Sequence, residues 1–304
     1  MATQVRSAYS DLFLNTMLPA IKKVIMESYE SYRDILPYIF NVEKSDRSIE
    51  QTTTVSGFGL VPSKNEGSSV DYETLDQGYD RTYTHLTYKL GFTTSKEMMD
   101  DEKYGLMRKA SQALSRSMYN TRQTVGSNHF NNAFSASFLG PDAVALCSTA
   151  HTRTDGGTWS NRLAADADLS VTSLRTLLNV LEDTVDDKGL LLNLEAKYLL
   201  IPNELEFDAE ELLKSSLRPD TAENAINAFT IKKLSPLVWN YLTDADAWFL
   251  CAEPSMNNLM WFDREPVNTT SSYDFDNDNG KTKIRARFSS GWADARGICG
   301  TPGV

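Results

Sequence analysis

Two short stretches of the chain carry residues whose types could support chemistry, and the first is centred on Cys147. His151 follows Cys147 by four residues, and Asp155 follows by four more. A cysteine nucleophile needs a base within hydrogen-bond reach and a third group that orients the base, and a helix would align side chains at this spacing. The adjacent Gly156 and Gly157 favour a loop instead. We therefore predict that this trio is not catalytic.

The second stretch, residues 274–280, alternates carboxylates and ends in an Asn-Gly pair. Alternate Asp side chains can converge on one hard cation such as calcium. The EF-hand loop, however, needs Gly directly after its third acidic ligand and Glu at its twelfth position. Here Gly280 stands at the seventh position and Arg285 at the twelfth, so we predict a solvated hairpin end without a metal.

The remaining reactive residue types show no spacing that marks a site. His85 and His129 are far apart, and the chain has no GxGxxG after a strand, no P-loop, no GxSxG and no HExxH. Neither a disulfide framework nor a CxxC pair is formed by the three cysteines, Cys147, Cys251 and Cys299. They are predicted to be reduced and packed. The sequence thus predicts no catalytic residue, no cofactor and no metal, in a protein that is not an enzyme.

Composition and charge bound the function classes further. With 304 residues, 41% hydrophobic and 23% charged, the chain is typical of globular proteins with a sizeable core. It has no apolar run of about 18 residues and no secretory signal at its start, so a cytoplasmic protein without a membrane partner is expected. The formal charge of −11 and the absence of a basic stripe argue against binding to a phosphate backbone. Beside nucleic acid, such a protein is expected to be a non-adhesive wall.

The element expected to organise the chain is a long helix within residues 94–134. Thr94 and Glu97 have the spacing of a capping box, and Gly105 is a weak point. From residue 107 to 134 the helix would be about 40 Å long, which suits a strut better than a compact enzyme core. Beyond Gly105, apolar or small residues recur every three or four positions, as on one buried helix face: Met107, Ala110, Leu114, Met118, Thr121 and Val125.

A long β-hairpin is predicted directly before this helix, in residues 51–92. Its strands are the Thr-rich residues 51–55 and the alternating apolar residues of 86–92. Between them lies a Gly/Ser-rich loop, residues 56–69, whose length is typical of function or disorder. Phe58, Leu60 and Val61 in this loop have no obvious local core. Because an exposed apolar loop promotes aggregation unless another subunit covers it, the sequence predicts obligate assembly.

The other predicted elements are an N-terminal arm with a helix in residues 1–50 and a compact lobe after residue 170. The arm's helix is equally compatible with a core position and with packing on a neighbouring subunit. The lobe contains a helix from residue 174 to 185, a strand at 196–202, a helix at 204–216, and strands at 230–239, 247–251 and 258–262. Asn279-Gly280 is a type I′ turn signal for a last hairpin. The fold class is therefore α+β.

In this order, the elements and several short motifs resemble the major capsid proteins of tailed bacteriophages. They look most like the Mu-like prophage major head subunit family. The resemblance spans nearly the whole chain. The motifs are STAH with DGGTWSN at 148–151 and 155–161, IPNEL with RPDTAENAIN at 201–205 and 218–227, and RARFS with GW at 285–289 and 291–292.

The resemblance implies the tailed-phage major capsid fold, which encapsulins share. The expected assembly-interface residues are Phe58, Leu60, Val61 and Lys64. Lys64 is the lysine of the loop, and some relatives crosslink a loop lysine to an asparagine. The implied division is an N-terminal arm and helix at 1–50, an extended hairpin loop reaching a neighbour at 51–92, a peripheral domain with the spine helix at 93–169, an axial domain at 170–250, and strands returning to the peripheral domain at 251–304.

The implied function is that of a non-enzymatic major capsid protein. It would assemble with itself into pentamers and hexamers of an icosahedral shell around double-stranded DNA, without specific DNA binding. Scaffold, portal and decoration proteins are the other expected partners, and the location is the virion, after assembly in the bacterial host cytoplasm. An encapsulin-type nanocompartment shell is the nearest alternative. A cytoplasmic hydrolase using Cys147 and His151 is an alternative from another class.

Overall fold

The computed structural model describes residues 18–95, 97–98, 105–215, 229, 232–274, 276 and 279–304 of the chain. In this part of the chain, two four-stranded sheets form the body and helices pack on them. Two separate two-stranded hairpins complete the described strands: a long one before the long helix, and a short one formed by β5 (His151–Thr152) and β6 (Thr158–Trp159). The α+β class predicted from the sequence is confirmed. Within the described residues, no helix is both long and apolar enough to cross a bilayer.

The first sheet has the strand order β1–β10–β11–β4. β1 (Asn41–Lys44) is parallel to β10 (Leu259–Asp274), while β11 (Asn279–Trp292) is antiparallel to both β10 and β4 (Leu86–Thr94). Alternate residues of β11 are buried on one face, as a half-covered antiparallel sheet requires. Helices α1 (Leu18–Glu30) and α3 (Gly105–Asn131) pack against β10 and β11 and against each other.

Helix α3 is the long helix that the sequence predicts, and its 27 residues span about 40 Å. Met107, Leu114 and Met118 are buried at the predicted spacing. Fully buried Gln123 fixes the helix laterally: its Oε1 accepts from Trp239 Nε1 at 2.9 Å, and its Nε2 donates to Asp34 Oδ1 at 2.8 Å. These bonds join α3 to the segments before α2 (Leu36–Ile39) and after the strand that ends at Val238.

The second sheet has the order β12–β9–β7–β8. β9 (Trp248–Ala252) is buried at every position, which accounts for its unbroken apolar run. It is antiparallel to β12 (Ile298–Thr301) and to β7 (Ala196–Ile201), and β7 is parallel to β8 (Ser235–Val238).

Two helices pack on this second sheet. α4 (Val171–Glu182) begins with a capping box formed by Ser170 and Ser173, and its leucines enter the core next to β7 and β9. α5 (Glu206–Lys214) follows a short 3-10 turn and contacts β8. The two helices predicted for this lobe and its strands at 196–202, 230–239 and 247–251 are confirmed, with ends displaced by up to five residues. The strand predicted at 258–262 is wrongly placed, because it is the start of β10, which continues to Asp274 in the first sheet. The last strand, β12, joins this sheet, whereas the predicted division groups residues 251–304 with the long helix.

The pairing predicted inside residues 51–92 is wrong. β2 (Ile49–Val55) pairs with β3 (Gln77–Thr84), and β4 pairs with β11 of the first sheet. His85 is the single residue between β3 and β4. Strand β3 was not predicted, because its residues show little hydrophobic alternation. Tyr79 and Tyr83 are on its inward side, and Gly, Asp and Thr residues are on its outward side.

The predicted cap of the long helix is also wrong. Thr94 ends β4 and pairs with Gly280, so it cannot be an N-cap. The side chain of the next residue, Ser95, accepts instead from the backbone N–H of Met98 at 3.3 Å. The regular long helix begins at Gly105, and residues 96 and 99–104 lie outside the described part.

The last hairpin exists, but its turn is not at the predicted position. Asn279 pairs with Asp274 and Gly280 with Tyr273, so both residues lie inside β11. The connection consists of residues 275–278, of which 276 is described. The N-terminal arm (residues 1–17) and the motif at 218–227 also lie outside the described residues.

Candidate assembly surface

The hairpin loop, residues 56–76, connects β2 to β3 and is closed at its root by Ser56. The backbone N–H of Ser56 donates to the carbonyl of Asp76, and the N–H of Asp76 donates to Ser56 Oγ, both at 2.9 Å. Ser56 is buried. These bonds extend the β2–β3 ladder by one step and hold the two limbs of the loop together.

Two further polar contacts join the limbs beyond the root. The N–H of Gly59 donates to Glu73 Oε2 at 2.7 Å, and Lys64 Nζ lies 2.7 Å from Asp71 Oδ2. Exposed contacts of this kind contribute at most about 1 kcal/mol each. The loop therefore has a defined two-limbed shape without a core of its own. Lys64, a predicted interface residue, is paired within its own loop.

Large apolar side chains of the hairpin loop stand in solvent in the described chain. Of the predicted interface residues, Val61 is 95% exposed, Leu60 is 82% exposed, and Phe58 is half exposed. The structure adds Val70, Tyr72 and Leu75 on the returning limb. These three residues were not predicted, because the loop was expected to end at residue 69, although their apolar types were a usable signal. Single exposed apolar residues are ordinary, but such a concentration in one segment indicates a surface that something covers.

The hairpin is fixed to the body through β3 and through Asp76, the last residue of the loop. Tyr79 Oη lies 2.7 Å from Thr152 Oγ1, and Lys188 Nζ lies 3.2 Å from Asp76 Oδ2. Tyr83 is buried at the root, and burial raises its pKa to about 12. The hairpin is therefore held at its base while its apolar loop is presented to the surroundings.

The edge strand β4 carries a second set of exposed apolar side chains. Leu86 and Leu90 are more than half exposed, although they share a face with Tyr88 and Phe92, which are partly buried. β4 has a partner, β11, on one side only among the described strands. A free strand edge with apolar side chains is a surface that natural proteins cover. Both leucines were predicted to lie in the hairpin, and their exposure was not predicted from the sequence.

The trio considered for catalysis is not brought together. Cys147 is buried, and burial raises the pKa of its thiol well above the usual range. His151 Nδ1 lies 2.6 Å from Asp142 Oδ2, and its Nε2 lies 3.0 Å from Asn161 Oδ1. Asp155 is in a turn, where its Oδ1 accepts from the N–H of Gly157. Both ring nitrogens of the histidine are thus held by polar partners of its own loop, so neither is directed at the thiol.

The remaining cysteines and the carboxylate run also have structural surroundings. Cys251 and Cys299 are free and buried, and burial raises the pKa of Cys251 to about 12. Asp274 pairs with Lys281 across the hairpin, at 2.5 Å. Among the residues that the structure describes, no group of three or more His, Cys, Asp and Glu side chains is arranged to hold a metal.

The family model described as "Phage capsid protein" matches residues 78–300. No curated protein matches the chain. The match begins at β3, so it covers the long helix, the second sheet and strands β4, β10 and β11 of the first sheet, but not β1, β2 or α1.

Solved structures resemble the chain over most of its length. The virus-like particle from Pyrococcus furiosus superposes with a TM-score of 0.56 at 10% identity, over 94% of this chain and 99% of that chain. The mature capsid of bacteriophage PhiM1 gives 0.55 at 10% identity, over 88% and 86%. Microbacterium phage Oxtober96 gives 0.53 at 10% identity, over 86% and 88%. At such identities the likeness concerns the fold, which is the tailed-phage capsid fold shared with encapsulin-like particles.

Proposed function

Because the chain belongs to the phage capsid protein family, we propose that it assembles into pentamers and hexamers of an icosahedral shell that encloses double-stranded DNA. It is a major capsid protein, a structural protein of a bacteriophage. The further proposal, that it falls in the Mu-like prophage head subunit group, is supported by the motifs at 148–161, 201–205 and 285–292.

The observation that carries the proposal is the hairpin loop. Its root is fixed to the body by Tyr79 and Lys188, while Leu60 and Val61 at its end are almost fully exposed. Fully burying one such side chain contributes about 1.5–3 kcal/mol. Covering the loop with a second subunit would therefore stabilise the contact by a free energy of several kcal/mol. The fold of neither subunit would need to change.

Assembly follows from repeating this contact under symmetry. One loop contact is weak, but each subunit of a closed ring both offers a loop and receives one, so the contacts reinforce one another. The proposed interface residues are Phe58, Leu60, Val61 and Lys64. The Lys64–Asp71 pair would shape the loop that is presented to the neighbour.

The proposed division of the subunit uses the two sheets. The first sheet with α1 and α3 supports a peripheral domain, the second sheet with α4 and α5 supports an axial domain, and residues 1–50 include the arm. The proposed partners are scaffold, portal and decoration proteins. The proposed location is the virion, after assembly in the bacterial cytoplasm.

A nanocompartment shell filled with protein is the second candidate, favoured by the superposition on the Pyrococcus furiosus particle. Both candidates predict closed shells, so the molecules enclosed in the shell distinguish between them. Particles should be purified from the phage-producing host, treated with nuclease and analysed for double-stranded DNA and for co-purifying protein. Nuclease-protected DNA of uniform length supports the capsid proposal. Shells that contain an enzyme and no DNA would overturn it.

A further inference from the structure

Helix α3 differs in charge from the rest of the chain. The protein has 41 Asp and Glu residues, yet none of them lies within the 27 residues of α3. The exposed side of the helix carries Arg108, Lys109 and Arg116. Arg108 and Lys109 are adjacent and Arg116 lies seven residues beyond Lys109, so the sequence shows no longer basic run. The helical spacing of Lys109 and Arg116 nevertheless places them on one face.

A groove runs along this face, between α3 and the end of α1. Its volume is about 800 Å³. Lys109 and Arg116 line it, and no carboxylate does so among the described residues. Glu27 of α1, the residue before Ser28 in the wall, is paired with Lys23 at 3.6 Å. Hydroxyl and amide side chains supply most of the other walls: Ser28, Gln112, Ser117, Asn120, Thr121 and Thr124.

We propose that this α1–α3 groove binds the phosphate backbone of double-stranded DNA without sequence specificity, and that it therefore lies on the inner surface of the shell. The inference rests on the proposed function, because it names the surface that meets the enclosed DNA. Clustered cations with hydroxyl and amide donors are the groups that contact phosphate and sugar in protein–DNA complexes.

The spacing of the two cations suits a phosphate backbone. Lys109 and Arg116 lie about 10.5 Å apart along the helix axis, at about 1.5 Å per residue. One DNA strand advances about 3.4 Å per phosphate along its axis. Because the strand also winds around its axis, its phosphates are farther apart in space than this advance, so the two side chains can reach two separate phosphates within about three nucleotides of one strand.

The hairpin loop of a second subunit is the other anionic candidate for the groove, and its chemistry fits less well. Asp71, Glu73 and Asp76 of that loop already accept from partners in their own subunit. Its most exposed apolar side chains are Leu60, Val61 and Tyr72. The groove offers hydroxyls, amides and cations, with Tyr32, Ala113 and Val125 as its apolar contribution. Apolar side chains would be matched by these three residues, whereas phosphate oxygens gain hydrogen bonds and charge contacts from the rest of the lining.

The test measures binding of a fluorescent 30-base-pair duplex to unassembled full-length protein between 50 and 200 mM NaCl. The groove variant is K109A/R116A. The control is R175A/K214A, which removes one Arg and one Lys from the exposed faces of α4 and α5 and so changes the net charge equally. Circular dichroism checks folding, and K109Q/R116Q serves as a second groove variant.

We expect the groove variant to bind at least about tenfold more weakly than wild type at 50 mM NaCl. Its slope of log affinity against log salt should be smaller by about 2, because two phosphate contacts are lost. The control pair should keep the wild-type slope. If the groove variant and the control variant lose the same amount of DNA affinity, the effect comes from net charge alone and the inference is overturned. DNA binding as strong as that of wild type in the groove variants would also overturn it.

A labelled peptide of residues 56–76 is tested in parallel. Binding of this peptide that disappears in K109A/R116A would assign the groove to a neighbour's loop and also overturn the inference. Electron microscopy of the same wild-type preparation after assembly keeps the two proposals apart. Shells without groove-dependent duplex binding contradict this inference alone, whereas the absence of shells contradicts the proposed function.

Discussion

Arg122 of α3 and Asp263 of β10 form a two-bond ion pair that ties the long helix to the first sheet. Arg122 Nη1 donates to Asp263 Oδ1 at 2.9 Å, and Nη2 donates to Oδ2 at 3.4 Å. The guanidinium carbon also lies 5.0 Å from the centre of the Trp261 ring. The pair joins residues 141 positions apart in sequence, so it stabilises the contact between elements on which the rest of the subunit is built.

Replacing Arg122 should therefore destabilise the subunit strongly. Arg122→Ala leaves the half-buried Asp263 carboxylate without its counter-charge, and the free energy of unfolding should fall by about 3–5 kcal/mol. Arg116→Ala, in the same helix but exposed, is the matched control and should change it by less than about 0.5 kcal/mol. Urea denaturation of unassembled protein measures both. Equal stability of the two variants would show that the pair does not hold the helix.

Gly126 allows α3 to approach its neighbours closely. A Cβ at this position would lie 2.4 Å from Leu36 Cδ2 and 3.2 Å from Trp239 Cη2, both buried. Gly126→Ala should lower the free energy of unfolding by about 1–3 kcal/mol through overpacking. Gly105→Ala, where a Cβ meets nothing within 4 Å, should change it by less than about 1 kcal/mol. A Gly126→Ala variant as stable as wild type in thermal melts would contradict this packing.

His129 should make the folded subunit sensitive to acid. It is buried beside Phe40, Phe138 and Trp292, and burial lowers its pKa from 6.5 to about 4. Below pH 6.5 the unfolded chain binds a proton that the folded chain does not take up until about pH 4. The stabilising contribution is therefore complete above pH 6.5 and is lost as the pH falls towards 4, by about 3 kcal/mol in total.

The variant His129→Phe keeps a ring in the aromatic pocket and removes the titration. Between pH 7 and pH 4.5 its free energy of unfolding should fall less than that of wild type. A smaller dependence remains in the variant, because burial also lowers the pKa of His85. Denaturation curves at the two pH values give the difference directly. Identical pH dependence in wild type and variant would exclude His129 as its source.

Val61→Asp separates assembly from folding. Because Val61 is 95% exposed in the subunit, its replacement should leave the free energy of unfolding within about 0.5 kcal/mol of wild type. Covering the loop would then bury an unpaired carboxylate, so particle formation should be abolished. Val304→Asp changes an equally apolar, exposed residue at the chain end and should still assemble. Sedimentation velocity distinguishes shells from subunits, and normal shells from Val61→Asp would remove the loop from the interface.

Elements with strong periodicity could be predicted from the sequence. Leu174, Leu177, Leu178 and Leu181 follow helical spacing and form one buried face of α4. Strand β9 was predicted from its unbroken apolar run instead of from periodicity, since a strand covered on both faces needs no polar alternation. The exposed loop with Leu60 and Val61 was expected because these residues had no nearby partner in the sequence.

Pairing partners and local ends could not be predicted, because they depend on distant residues. Asn279-Gly280 carries a strong turn signal. However, Asn279 pairs with Asp274 of β10 and Gly280 pairs with Thr94 of β4, so both residues lie in the sheet. The cationic face of α3 was missed for a related reason. Lys109 and Arg116 share a face only once the helix has formed, so a search for runs of adjacent basic residues does not pair them.

The central claim, that this subunit completes its surface with copies of itself, is tested most directly by electron microscopy of the purified full-length protein across a range of concentrations. The account predicts closed shells, or rings and tubes built from the same contacts. A protein that stays monomeric at high concentration, with residues 56–76 folded back onto its own body, would contradict it.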